Sequence, residues 1–313
     1  MKPLSLSDNS PPGLLKLLLT ATDLVTLRLR GIRLSVHTSP EALATCLSML
    51  IRLEKLDIGL ASSRSSPDHH HLLPRTHAHL PILTRLKFSG VSEYLEDLMA
   101  RIDAPLLDNL DITLFHQLIF HAPQLTQLIS RIPKFKAHVT AHLILSNVDA
   151  SVTAFDERLR FEIICSQSDR RLPSLTQICS SVFPRAVILA VEHLFILECE
   201  FARSPLHWQD DVENNQWLEL FQPFTAVKHL YISSEFTPRI VLFLQDLVEE
   251  RVAEVLPALQ NVFLEETLLS GPVQEAIGQF IGARQLAGHP VAISRWERKR
   301  VDIWGSSTRQ RGT

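Results

Sequence analysis

Residues 227–232, VKHLYI, place Val227, Leu230 and Ile232 in a fixed phrase: an apolar residue, two others, an apolar residue, one other, an apolar residue. The last two lie two apart, so on a short strand they share one face. The first sits at the turn into the strand and also points inward. The phrase recurs at Leu24-Leu27-Leu29, Leu53-Leu56-Ile58, Leu83-Leu86-Phe88 and Leu107-Leu110-Ile112. It returns at Val191-Leu194-Ile196 and Leu259-Val262-Leu264, with a weaker copy at Thr140-Leu143-Leu145. Successive starts are 29, 30, 24, 33, 51, 36 and 32 residues apart, a step near or somewhat above that of leucine-rich repeats, with one long gap.

Between the phrases lie helix signals. Residues 41–51, opened by Pro40-Glu41, carry Leu43, Leu47 and Leu50 on one face. Ser92 introduces Tyr94, Leu95, Leu98 and Ile102, with a Ser-x-x-x-Glu start that approximates a capping box. Further helices are expected on 115–130 with a break near Pro123, around Trp217 to Phe221, on 240–252 and on 273–281. Strands joined by helical crossovers run parallel and connect right-handedly. The expected fold is therefore α/β: a leucine-rich-repeat-like right-handed solenoid, or horseshoe, with parallel strands on the concave face and helices on the convex face. A doubly wound open sheet is the competing architecture, but its buried strands are continuous apolar runs without the three-point phrase.

Composition agrees. The 313 residues include 52 leucines, roughly one in six, and 45% hydrophobic residues, too apolar for a disordered chain. The formal net charge of -3 gives no electrostatic case for binding nucleic acid or a membrane surface. Four cysteines without a C-x-x-C pair argue against a disulfide scaffold and against a thiolate metal site. The leucine run 14–19 is broken by Lys16, so it is too short for a signal peptide. A cytoplasmic or nuclear monomer is expected, with no cofactor and no metal. Nucleotide-binding, nucleophile-elbow and zinc-protease motifs are absent, so no catalytic residue is proposed and the chain is read as a non-enzyme.

The expected organisation is a disordered segment at 1–13, the solenoid at 14–294 and a basic tail at 295–313. Loop insertions are expected near 61–81, 146–172 and 203–215. The first is rich in Ser, Pro and His, including His69, His70, His71, His77 and His79, and reads as a solvated loop rather than a zinc site.

In such a solenoid the residue between the last two apolar positions points into the concave face. Taken in order these are Arg28, Asp57, Lys87, Asp111, Ile144, Phe195, Tyr231 and Phe263. The first four carry charges of mixed sign, and the last four should stack as an apolar ladder. Two positions earlier, Thr26, Lys55, Arg85, Asn109, His142, His193, His229 and Asn261 form a second row. The candidate protein-binding residues are Ile144, Phe195, Tyr231, Phe263, His142, His193, His229 and Asp111, set against an unknown client protein. The competing reading is that a loop, or the C-terminal tail with Trp296 and Trp304, folds over the ladder and covers it.

Residues 91–115, VSEYLEDLMARIDAPLLDNLDITLF, 223–233, PFTAVKHLYIS, and 256–265, LPALQNVFLE, resemble stretches of a large fungal family of F-box-type proteins with degenerate leucine-rich repeats. The closing run 270–294, SGPVQEAIGQFIGARQLAGHPVAIS, resembles the same family's C-terminal end. The resemblance spans about 14 to 296. It implies the substrate-recognition region of an F-box subunit of a Skp1–cullin–F-box ubiquitin ligase. An F-box typically opens Leu-Pro-x-Glu-Ile/Leu, and residues 1–23 contain no such start. Skp1 is therefore not an expected partner of this chain alone. A truncated or degenerate repeat scaffold with no ligase role is the alternative.

Overall fold

A computed structural model describes residues 3–7, 18–32, 39–61, 76–115, 121–135, 139–146, 149–154, 158–165, 171–199, 213–247, 254–265 and 271–297. The strands are β1 (Pro3–Ser7), β2 (Thr26–Ile32), β3 (Lys55–Leu60), β4 (Ala78–His79), β5 (Arg85–Gly90), β6 (Ile102–Asp103) and β7 (Asn109–Phe115). They continue with β8 (Thr140–Leu145), β9 (Asp149–Ala154), β10 (Leu159–Ile164), β11 (His193–Glu198), β12 (His229–Ile232), β13 (Asn261–Glu265) and β14 (Ala292–Trp296). The α-helices are α1 (Pro40–Leu47), α2 (Ser92–Met99), α3 (Pro123–Arg131), α4 (Arg171–Gln177), α5 (Arg185–Ile188), α6 (Glu213–Phe221), α7 (Thr237–Asp246) and α8 (Pro272–Leu286).

Among the described residues, twelve strands form one sheet in the order β1-β2-β3-β5-β7-β10-β9-β8-β11-β12-β13-β14. Every pairing is parallel except the two made by β9, which runs antiparallel to both β10 and β8. Leucine-anchored repeats therefore stack side by side, in chain order apart from that reversal. Each phrase supplies one element of a continuous apolar lattice. Leu27, Leu56, Leu86 and Leu110 are in register on neighbouring strands, as are Leu194, Leu230 and Val262. All seven are buried, each side chain contributing about 1.5–3 kcal/mol by leaving water.

A backbone device repeats with the strands. The Glu54 carbonyl accepts hydrogen bonds from both Thr84 and Arg85 N–H, at 2.9 and 3.1 Å. The Glu192 carbonyl does the same for Lys228 and His229, and Lys228 for Gln260 and Asn261. One acceptor thus satisfies two donors where each strand begins.

The helices follow local signals in part. Ser39 caps α1, its hydroxyl accepting from Ala42 N–H at 3.2 Å, with Pro40 in the first turn. The capping box expected at Ser92 does not form: Val91 is the N-cap of α2 and Ser92 lies inside the helix. Of the helix expected on 115–130, Phe115 ends β7, 116–120 lie outside the described residues, and α3 begins at Pro123. Its first turn is capped from outside, since the Glu96 carboxylate of α2 accepts from Gln124 and Leu125 N–H at 2.8 and 3.0 Å. Burial raises the Glu96 carboxyl, and those two bonds pull it back down.

Three boundaries differ from expectation. Pro3–Ser7, expected to be disordered, pairs with β2 and covers the edge that a bare first repeat would leave open. The stretch 146–172, expected as a loop, contains β9 and β10 and the start of α4. Its strands alternate apolar and polar residues, a period hidden by their mixed composition. The last described strand of the sheet ends at Trp296, beyond the expected limit at 294. Within 61–81, Ala78–His79 pairs with Ile102–Asp103 in a separate two-stranded sheet. Residues 62–75, 203–212 and 298–313, including His69, His70, His71 and Trp304, lie outside the described residues.

Candidate functional site

The sheet's polar face carries one row that crosses all twelve strands in register. It reads Ser5, Arg28, Asp57, Lys87, Asp111, Arg160, Thr153, His142, Phe195, Tyr231, Phe263 and Ser294. From β2 to β10 the row alternates in charge; from β11 to β13 it is aromatic. Strand pleat explains its placement, because the apolar residues on either side of every member but Ser294 point the other way.

In the charged half, Lys87 Nζ lies 2.5 Å from Asp111 Oδ2, and Arg30 Nη2 lies 2.7 Å from Asp57 Oδ2. Arg160 and Glu162, two apart on β10, pair at 3.2 Å. Burial pushes the Glu162 carboxyl up, and Arg160 pulls it back. Such partly exposed pairs stabilise by about 0–1 kcal/mol each, so their weight here is in setting the face's charge pattern.

In the aromatic half, Phe195 and Tyr231 stack with ring centroids 4.1 Å apart and planes 7° from parallel. Tyr231 and Phe263 stack at 4.5 Å and 8°. His142 meets Phe195 edge-on at 4.7 Å. All four rings are half-buried. Beside them run His193 and His229, ring centroids 4.5 Å apart, followed in register by Asn261. The Asn261 amide N–H donates to His229 Nδ1 at 3.1 Å, and Tyr231 Oη is 3.4 Å from His193 Nδ1. Partial burial, and next the His229 ring beside it, lower the His193 pKa. Glu192 titrates below the usual carboxylate range because the Lys228 ammonium bonds it at 2.7 Å.

Trp296 reaches back over the ladder. Its ring lies 5.6 Å from Tyr231 and 5.9 Å from Phe195, nearly perpendicular to both, and its Nε1–H donates to the Ile232 carbonyl at 3.3 Å. The ladder is thus partly roofed from the C-terminal side, as one of the two sequence readings anticipates.

Two expected site residues move. Ile144 is in register with Leu197, not Phe195, and is only 5% exposed. His142 takes the place in the aromatic row, and Thr140, not His142, aligns with His193. The histidine row therefore has two members. The cause is a two-residue shift of this repeat, fixed by the Val139 carbonyl accepting from Glu192 and His193 N–H at 2.8 and 2.7 Å. Ala141-His142-Leu143 is the true counterpart of Leu194-Phe195-Ile196. The small Ala141 conceals it from a search keyed to leucine. Asp111 sits where expected, paired with Lys87. Sequence reasoning misses Arg160 and Thr153, whose strands interrupt the repeat.

Other chemistry is sparse. Among the described residues, no group of three His, Cys, Asp or Glu side chains is placed to hold a metal ion. His79 instead pairs with Asp103 at 2.8 Å. A cavity between α7, α8, β13 and β14 is lined by apolar side chains alone, among them Val241, Phe280 and Ile293. No described helix is long and apolar enough to cross a membrane.

No disulfide joins the four cysteines; Cys46, Cys165 and Cys179 are buried and Cys199 is partly exposed. Burial raises the thiol pKa of Cys46 and Cys179, so little of either is thiolate near neutral pH. A brief iodoacetamide pulse on the native chain should modify Cys199 alone, and all four after denaturation. Intact-mass spectrometry reads the count; rapid labelling of a second cysteine in the native state would contradict the packing.

No protein-family model matches the chain, and no curated protein matches its sequence. The chain is similar to the crystal structure of LegL7, a leucine-rich repeat-containing protein from Legionella pneumophila. The identity is 12% and the TM-score 0.30, with 95% of this chain and 91% of that one covered. At that score the fold rests on the strand order described above, not on the likeness.

Proposed function

We propose that the chain is a non-enzymatic scaffold whose polar sheet face binds a client protein. In this reading the array curves as a horseshoe, strands inside and helices outside, and the face is its concave surface. The observation that carries the reading is the half-buried stack of Phe195, Tyr231 and Phe263 on the face opposite the leucines. Aromatic rings held rigidly at a surface offer large contact area at low entropic cost, and such residues dominate binding energy at interfaces. The resemblance to F-box-type proteins adds the role of client recognition for a ubiquitin ligase.

The test takes a client found by cross-linking to the full chain and then prepared pure. Calorimetric affinity should fall at least about tenfold for the double variant Phe195→Ala, Tyr231→Ala, since interface aromatics commonly contribute more than 1.4 kcal/mol. An unchanged affinity would remove the ladder from the interface and overturn the reading.

A further inference from the structure

The charged half of the face has an imbalance that the described residues do not neutralise. On the outward positions of β2, β3, β5, β7 and β10 there are six cations and three acids. Each acid is engaged on that face: Asp57 by Arg30, Asp111 by Lys87 and Glu162 by Arg160. Among the described residues, three exposed cations remain without an acidic partner, Arg28, Lys55 and Arg85, on three adjacent strands. The chain as a whole carries -3, so the local excess runs against the overall charge.

Register sharpens the point. Lys55 lies directly opposite Arg85, and the row they share continues with Thr26 on one side and Asn109 on the other. It contains no acid from β2 to β7. Like charges facing each other across a sheet are destabilising, and a local rule broken without compensation marks a place where a function supplies it. The neighbouring row alternates Arg28, Asp57, Lys87, Asp111, Arg160, so the sequence does place acids on this face where they are needed for balance.

We infer that the Lys55–Arg85 row, with Arg28 beside it, is a docking site for an acidic segment of a partner protein. The inference rests on the proposed scaffold role and names the chemistry of the partner. Carboxylates laid over Lys55 and Arg85 relieve the like-charge pair, and the Arg85 guanidinium can take a carboxylate in a two-pronged bond. The interspersed acids Asp57 and Asp111 repel a continuous phosphate backbone, so a protein segment fits better than a nucleic acid.

The probe is a short fluorescein-labelled peptide rich in Asp and Glu, followed by anisotropy with the full chain. Binding is expected at low ionic strength, weakening as salt screens it. The double variant Lys55→Glu, Arg85→Glu should weaken it at least about tenfold, and Lys55→Gln, Arg85→Gln by less. Circular dichroism checks that both variants fold; these exposed positions carry no core packing. Equal binding by the wild type and the charge-reversed chain overturns the inference. So does no binding to the wild type, or tighter binding of a single-stranded oligonucleotide than of the peptide. Phe195→Ala with Tyr231→Ala serves as the separate control for the scaffold reading. Peptide binding that survives it, but not charge reversal, supports the basic row whatever becomes of the aromatic one.

Discussion

Replacing Phe161 by alanine is expected to lower the unfolding free energy by about 3–5 kcal/mol. Phe161 stands on β10 with its side chain fully buried. Its register partners are Ile112 on β7 and Val152 on β9, both in the core, and its ring meets Phe183 edge-to-face at 5.8 Å. The strands on either side are held by their own pairings, so they cannot close over the lost ring, and the substitution leaves a cavity. Urea unfolding followed by tryptophan fluorescence, to which the buried Trp217 contributes, should show the midpoint falling with little change in slope. A loss below about 1 kcal/mol would mean that the site collapses, contrary to the packing described.

The second large effect is expected at Arg171, a fully buried cation at the start of α4. Its Nη1–H donates to the Ser146 carbonyl at 2.8 Å. Ser146 in turn is tied to Asp149, accepting from its N–H through the side chain at 3.0 Å. Burial raises the Asp149 carboxyl; the Ser146 hydroxyl and the charges of Arg160 and Arg171 oppose the rise. Arg171→Met keeps the bulk but takes the donor from the Ser146 carbonyl and one cation from the half-buried Asp149, a loss of about 1–3 kcal/mol at neutral pH. An acid whose folded pKa is raised binds more protons folded than unfolded, so its contribution is present in full below about pH 3.9 and is lost as pH rises through the folded value. Removing Arg171 moves that folded value further up. The deficit of the variant should therefore be smaller near pH 4 than near pH 7, provided both are measured against wild type at the same pH. A deficit independent of pH would show that Arg171 does not steady the Asp149 charge.

The apolar lattice was legible because one leucine-anchored phrase repeats along the chain, and leucines at that spacing have one face to occupy. The outward row was legible by the same alternation, which is why Phe195, Tyr231, Phe263 and Asp111 fall where the phrase puts them. Reading failed where the phrase is chemically disguised. Ala141 fills a leucine position, so the pattern locked onto Leu143 and Leu145 and carried His142 and Ile144 two residues out of place. The alternation in β9 and β10 is real, but Ser151, Thr153, Arg160 and Glu162 give those strands the composition of a loop. Trp296 could not be placed by local pattern at all, because its reach from β14 to the Ile232 carbonyl on β12 spans the intervening strand β13.

The reversed strand β9 has a consequence for how the array comes apart. In a linear stack each unit is held by its immediate neighbours, and cooperativity passes from one to the next. The antiparallel hairpins of β8, β9 and β10 close locally, over short stretches of chain, whereas every flanking parallel pair needs a long crossover. The middle of the molecule is thus the place where pairing costs least loop entropy to establish. Pairing is therefore expected to begin at this keystone, with the charged and aromatic wings added on either side of it.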